Sequence, residues 1–339
     1  MLQYRIKDAL PALRVLTLPR VVNASRILLS YFKSKWTGTY AHRGLPISVS
    51  IEPTTSCNLR CPQCPSGLRA FTRDTGMLDV DLNRKIIDEL HKTLCYITYY
   101  FQGEPYLNRD FLKMVRYATD HKIFTATSTN AHYLTPEVCE ETIASGLSKL
   151  IISIDGIDQD SYSKYRVGGQ LQKVLDGTKN LVAAKKSKGR GPIIVWQFIV
   201  FRHNEDQLES IEALAKEYGV DQLDIKTAQV YDFETNTELI PKNEKYSRYK
   251  LSKKSAAIKN KLLNHCWRLW HSCVITWDGK IAPCCFDKDA KHQFGDLRNE
   301  SFKLIWRNSE YESFRKLVLK SRKNIDICQN CTEGTKVWA

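Results

Sequence analysis

The sequence has no run of about eighteen apolar residues, so no segment is expected to cross a membrane as a helix. A secretory leader is not expected either. Arg14, Pro19 and Arg20 interrupt what would be its apolar core, and no small-residue cleavage site follows. No internal repeat shows. A full disulfide framework is also missing, because the eleven cysteines are odd in number and fall into tight groups. Those groups are 57/61/64, 284/285 and 328/331, with Cys266 and Cys273 close upstream. A cytoplasmic setting is expected, and in a reducing compartment clustered thiols point to metal.

What is present begins with size. The chain has 339 residues, 42% of them hydrophobic, enough for a sizeable core with an appendage. The net charge of +14 sits in two short segments. Residues 1–46 carry eight Lys/Arg against one Asp, and residues 241–263 carry eight against one Glu. The remainder is neutral, unlike a nucleic-acid binder, which spreads its basic residues over the folded body. No nucleic-acid partner is expected. The charge reads as solvated basic surface, or as attraction to an anionic substrate or an acidic membrane surface. Residues 20–36 have apolar positions at helical spacing, for a helix that packs on the main domain or rests weakly on a membrane.

From residue 47 a β/α rhythm starts. Strands are expected at 48–54, 95–101, 122–129, 149–155, 192–201 and 222–227. Helices are expected at 79–92, 109–121, 135–145, 170–187 and 204–218, with Asp79 and Thr135 as N-caps and Pro136 at a first helical position. The strands read as parallel, and right-handed crossovers would curl them into a partial (β/α)6 barrel. Chemistry then belongs at the strands' carboxyl ends. There lie the cysteine window CNLRCPQC (57–64), GEP (103–105), STN (128–130) and SIDG (153–156). The tail, 264–339, holds six cysteines, a hairpin turning at Asp278-Gly279 and a helix near 301–319, as in a small metal-stapled domain. The expected domains are a leader at 1–46, the core at 47–230, a basic linker at 231–263 and the tail at 264–339.

Cys57, Cys61 and Cys64 supply three thiols with no neighbouring His to close a zinc tetrahedron. Three thiolates on a [4Fe–4S] cube leave one iron open. C-x3-C-x2-C after a first strand, GEP after a second and S-x-D after a later one resemble the radical S-adenosylmethionine enzymes. The resemblance covers roughly residues 47–230. It implies a partial barrel, a cluster on Cys57, Cys61 and Cys64, and S-adenosylmethionine on the open iron. It further implies that Gly103, Glu104 and Pro105 line the methionine amino group, and that Ser153 and Asp155 meet the ribose or methionine end. Ser128, Thr129 and Asn130 would be polar cofactor contacts, and Arg166 a partner for the cofactor carboxylate. One departure stands out: the family usually has an aromatic before the third cysteine, and here it is Gln63.

Cys266, Gly279, Cys284 and the C-x2-C of Cys328 and Cys331 resemble the auxiliary-cluster domains called SPASM and twitch. The likeness implies one further [4Fe–4S] cluster on Cys266, Cys284, Cys328 and Cys331, with Cys273 and Cys285 as substitutes and zinc as the alternative metal. A cluster with four protein thiolates would have no open iron, so it would carry an electron or brace the fold, and the reaction would be an oxidation. The expected substrate is small and polar or carbohydrate-like, as the likeness to single-cluster auxiliary domains implies, and residues 1–46 are too short for the peptide-grasping module that a peptide maturase often carries. The alternatives are a peptide- or protein-modifying maturase and a non-enzymatic, zinc-stapled binding protein. A low-potential donor such as flavodoxin or ferredoxin is the expected electron partner. His132, His203, Tyr106 and Glu205 lie near strand ends without an assigned role, and Cys95 and Cys139 read as core fillers.

Overall fold

The computed structural model describes residues 15–234, 236–252, 256–335 and 337. The first fourteen residues of the leader, and 253–255 of the basic linker, lie outside the described residues.

In chain order the elements are α1 (Leu18–Thr37), β1 (Ser48–Ile51), α2 (Pro65–Leu68), α3 (Val80–Leu90), β2 (Tyr96–Thr98), α4 (Phe111–Asp120), β3 (Phe124–Thr129), α5 (Pro136–Ala144) and β4 (Lys149–Ser153). Then come α6 (Gln159–Tyr165), α7 (Leu171–Lys188), β5 (Ile193–Val200), α8 (Leu208–Glu217), β6 (Gln222–Thr227), β7 (Tyr249–Leu251) and β8 (Ala256–Ile258). The tail forms α9 (Trp267–His271), β9 (Ser272–Ile275), β10 (Ile281–Ala282), α10 (Phe302–Trp306), α11 (Ser309–Ser321) and α12 (Asp326–Gln329).

β1 to β6 pair in sequence order, all parallel, as the partial-barrel reading requires. Local chemistry starts the helices. Asp79 accepts from the Leu82 amide at 2.7 Å, and Thr135 accepts from the Val138 amide ahead of Pro136. α3 turns Leu82, Ile86, Ile87 and Leu90 inward, and each such burial is worth roughly 1.5–3 kcal/mol. Cys139 is a core residue, as expected; Cys95 is half-buried beside Tyr96 and Phe124.

Two expectations change. The tail is not wholly apart, because β9 pairs parallel with β1 (Ser48↔Ser272) and β10 returns antiparallel beside it. The hairpin thus extends the main sheet to eight strands. The helix expected near 301–319 is two helices, broken where the Asn308 side chain caps the second by accepting from the Tyr311 amide.

α1 packs on the domain through an unusual inner face. Ile27 and Tyr31 are buried, Tyr31 edge-on to Trp267 and Trp270. Arg20, also buried, donates to the carbonyls of His91 and His121. Those carbonyls close α3 and α4, so the guanidinium meets the negative ends of two helices. The outer face carries Leu18, Val22, Leu29 and Trp36, with Leu18, Leu29 and Trp36 all more than 70% exposed. No helix among the described residues is long and apolar enough to cross a membrane.

Candidate functional site

A cavity of about 290 Å³ opens at the carboxyl ends of the strands. Cys57, Cys61 and Cys64 line it from the loop after β1. That loop is held by backbone. The Glu104 amide donates to the Ser56 carbonyl at 2.8 Å, and Arg60 donates to Val167 at 2.8 Å. Gly103 has φ +75, and a Cβ there would stand 2.2 Å from the Thr54 carbonyl oxygen. Only glycine allows this approach. Gly67 in α2 is as tight, since a Cβ would lie 2.5 Å from the Cys61 amide and carbonyl.

Of the nine expected cofactor contacts, Gly103, Glu104, Ser128, Thr129, Asn130, Ser153 and Arg166 line the cavity. Pro105 and Asp155 do not. Pro105 opens the short 3-10 turn behind Glu104. Asp155 is fully buried and engaged within the protein: one carboxylate oxygen accepts from Arg166 Nε at 2.5 Å, the other from the Ile199 amide at 2.7 Å. Asp155 thereby holds Arg166, whose Nη1 faces Cys61 Sγ at 3.9 Å.

Glu104 is buried, accepting from Thr129 Oγ1 and the Asn130 amide, each at 2.7 Å. Desolvation pushes its carboxyl up to about 7, against those hydrogen bonds. Among the described residues no cation forms an ion pair with it, Arg166 acting on it from its own pair with Asp155, so it suits an ammonium ligand. Burial likewise lifts the Cys57 thiol to about 11 and raises Cys61. Such thiols become thiolates when iron displaces the proton. Three converging thiols, with no other Cys or His among the described residues that line the cavity, and a buried carboxylate without an ion-pair partner fit an open cluster with an amino-acid ligand.

Sequence reasoning missed Ser66, Tyr100, Gln102, Gln197, Ile199 and Lys288 in the lining. Alternation along β5 could have found Gln197 and Ile199, two residues apart on one face. Ser66 accepts from the Gly103 amide at 2.9 Å and ties GEP to the cysteine loop. The four residues left without a role are engaged elsewhere. His132 accepts from the Gln170 amide, Tyr106 Oη meets Thr142, Glu205 accepts from the Lys242 and Asn243 amides, and His203 stacks on Phe201.

The tail cysteines form a second group. Cys266, Cys328 and Cys331 surround the Arg322 guanidinium, which donates to Cys331 Sγ at 3.2 Å, and Cys284 interacts electrostatically with Cys266 and Cys331. Burial pushes Cys331 up to about 11. Cys273 lies apart, packed in the main core on β9, whereas Cys285 sits beside Arg268. Among the described residues no three Cys, His, Asp or Glu side chains gather as tightly as a single metal ion needs. A four-iron cube takes its thiolates from further apart.

Comparison with known proteins agrees with this geometry. Residues 51–218 match the radical SAM superfamily, and residues 266–332 match SPASM, an iron–sulfur cluster-binding domain. The mycofactocin maturase of Mycolicibacterium smegmatis is 28% identical over 316 residues, 85% of this chain and 76% of that protein. The PqqA peptide cyclase of Bradyrhizobium diazoefficiens is 27% identical over 56% of this chain and 48% of its own length. The crystal structure of Streptococcus suis SuiB bound to precursor peptide SuiA superposes with a TM-score of 0.60 at 14% identity, over 80% of this chain and 67% of that one.

Proposed function

The chain belongs to the radical SAM superfamily and carries a SPASM iron–sulfur domain, and on that premise we propose that it is a maturase acting on a peptide or protein. The similarity to a peptide cyclase, together with the match to a maturase along most of the chain, carries this reading. The expectation of a small polar substrate rested on the likeness to single-cluster auxiliary domains and on the shortness of residues 1–46, and the relatives found point the other way. The alternative weighed beside it, a peptide maturase, has the better support.

The protein takes a [4Fe–4S] cluster, S-adenosylmethionine and an auxiliary iron–sulfur centre. When bound, these supply reductive cleavage of the sulfonium and a 5′-deoxyadenosyl radical that takes a hydrogen atom from the substrate. Cys57, Cys61 and Cys64 would hold the first cluster from one stiff loop. Glu104 would accept the methionine ammonium, its negative charge favoured once a cation arrives. Arg166, aimed by Asp155, would take the methionine carboxylate. Ser128, Asn130 and Ser153 would offer hydrogen bonds along the cavity wall. Cys266, Cys284, Cys328 and Cys331 would hold the auxiliary cluster, with Arg322 donating to Cys331. A cluster held by those four thiolates would have no open iron for substrate, and would supply electron transfer or brace the fold; in the first case the net reaction would be an oxidation. A flavodoxin or ferredoxin would supply the first electron.

The test uses anaerobically reconstituted enzyme, dithionite and S-adenosylmethionine, with a mixed hexapeptide pool or a mixed pool of sugars and cyclitols. Peptide-dependent 5′-deoxyadenosine and a peptide lighter by two hydrogens are expected. Stimulation by the sugar pool alone would refute the peptide reading, and a redox-neutral product would refute the oxidation.

A further inference from the structure

The tail reaches into the cofactor cavity through one side chain, Lys288. Its loop is rigidly built. Asp287, buried, accepts from the Lys291 and His292 amides at 2.9 and 2.8 Å. Asp289 accepts from the Thr72 amide at 2.9 Å and from its hydroxyl. Both carboxylates beside Lys288 in sequence are thus engaged elsewhere. Among the described residues no carboxylate pairs with its ammonium, which lies 4.5 Å over the Tyr231 ring, and the acidic groups that act on it are the thiols of Cys64 and Cys285. Two further buried donors belong to this neighbourhood without an acceptor: Tyr231 Oη and Nη1 of Arg248, the latter a second cation acting on Lys288.

Gln63 joins this arrangement. Its Oε1 accepts from the Tyr231 amide at 2.7 Å. The position where an aromatic was expected therefore fixes Tyr231, and Tyr231 carries Lys288. Of these three groups only Lys288 lines the cavity, with the unmet Tyr231 and Arg248 donors buried behind it; an ammonium left over at the edge of a reaction cavity lacks one thing, an oxyanion.

We propose that Lys288, backed by Tyr231 and Arg248, recognises a carboxylate of the substrate, so that the peptide presents either an acidic side chain or its own C-terminus to the cavity. This rests on the peptide reading above. Lys288 comes from the auxiliary domain, so the domain whose cysteines would hold the second cluster would also select the substrate.

The experiment titrates four probes into the reconstituted, S-adenosylmethionine-loaded holoenzyme by calorimetry. Acetylglycine carries a C-terminal carboxylate, acetylglutamate α-amide a side-chain carboxylate, acetylglutamine amide none, and glucuronate a non-peptide one. One of the first two should bind saturably and the third should not. Lys288→Met should weaken that binding roughly 10- to 100-fold, as loss of a charge-assisted hydrogen bond does. Lys288→Arg should restore most of it, and both variants should keep wild-type iron and S-adenosylmethionine binding. Equal binding by Lys288→Met, no saturable probe, or a preference for inorganic phosphate would overturn the proposal. So would loss of S-adenosylmethionine from Lys288→Met, which would assign the lysine to the cofactor. Binding of glucuronate alone, lost in Lys288→Met, would uphold the carboxylate site and reject the peptide.

Discussion

Asp155 offers the sharpest test of how the cavity is built. Replacing it with Ala leaves the Arg166 guanidinium, whose side chain is 13% exposed, without its counter-charge. It also strips the acceptor from the Ile199 amide. Breaking one side of a buried pair costs about 3–5 kcal/mol, a large share of a typical domain's stability. Asp155→Asn keeps an acceptor for Ile199 and should cost less. Asp155→Ala combined with Arg166→Met removes the orphaned charge, so the double variant should be more stable than the two single losses predict. Urea unfolding of the apo chain under reducing conditions reads the coupling, and S-adenosylmethionine affinity reads the positioning. A loss below about 0.5 kcal/mol, or simple additivity, would refute the argument that Asp155 acts through Arg166.

Gly103→Ala should destabilise the chain by about 1–2 kcal/mol from the left-handed backbone alone. The clash with Thr54 should add to that and reduce iron loading, which thermal unfolding and iron assay would both detect. Glu104, raised by burial from the ordinary 4.5 to about 7, binds its proton more tightly when folded. Relative to Glu104→Gln, the wild type should therefore lose stability as pH rises from about 4.5 to about 7, while its S-adenosylmethionine affinity climbs over the same window. A flat difference in either titration contradicts the assigned burial. The outer stripe of α1, with Arg26, Lys33 and Lys35 exposed beside it, should bind vesicles containing anionic lipid but not neutral ones, and Leu29→Glu should abolish flotation. Equal flotation with neutral vesicles, or none with anionic ones, would refute the expectation of a weak membrane contact.

The parts legible in the sequence were those with local causes. Period-two and helical patterns, the Asp79 and Thr135 caps and the cysteine spacings each act within a few residues. The pairing of β9 with β1 joins segments more than 200 residues apart and has no local signature. The Asn308 break has one, an N-cap residue inside an apolar pattern that reads as continuous. Asp155 lay at the expected strand end, but its direction depends on Arg166 and on the neighbouring β5, neither visible in S-x-D. Lys288 was hidden more deeply: a lysine in a loop between cysteines reads as surface until the fold brings that loop over the barrel mouth. α6 escaped notice although its Asp158–Ser161 capping box is local.

The most direct measurement is iron and acid-labile sulfide after anaerobic reconstitution, on the wild type and on a Cys57/Cys61/Cys64→Ala variant. The account predicts about eight irons falling to about four, one open and one closed [4Fe–4S] centre. An iron content unchanged by the triple substitution would contradict it, because the cavity at the strand ends would then hold no cluster.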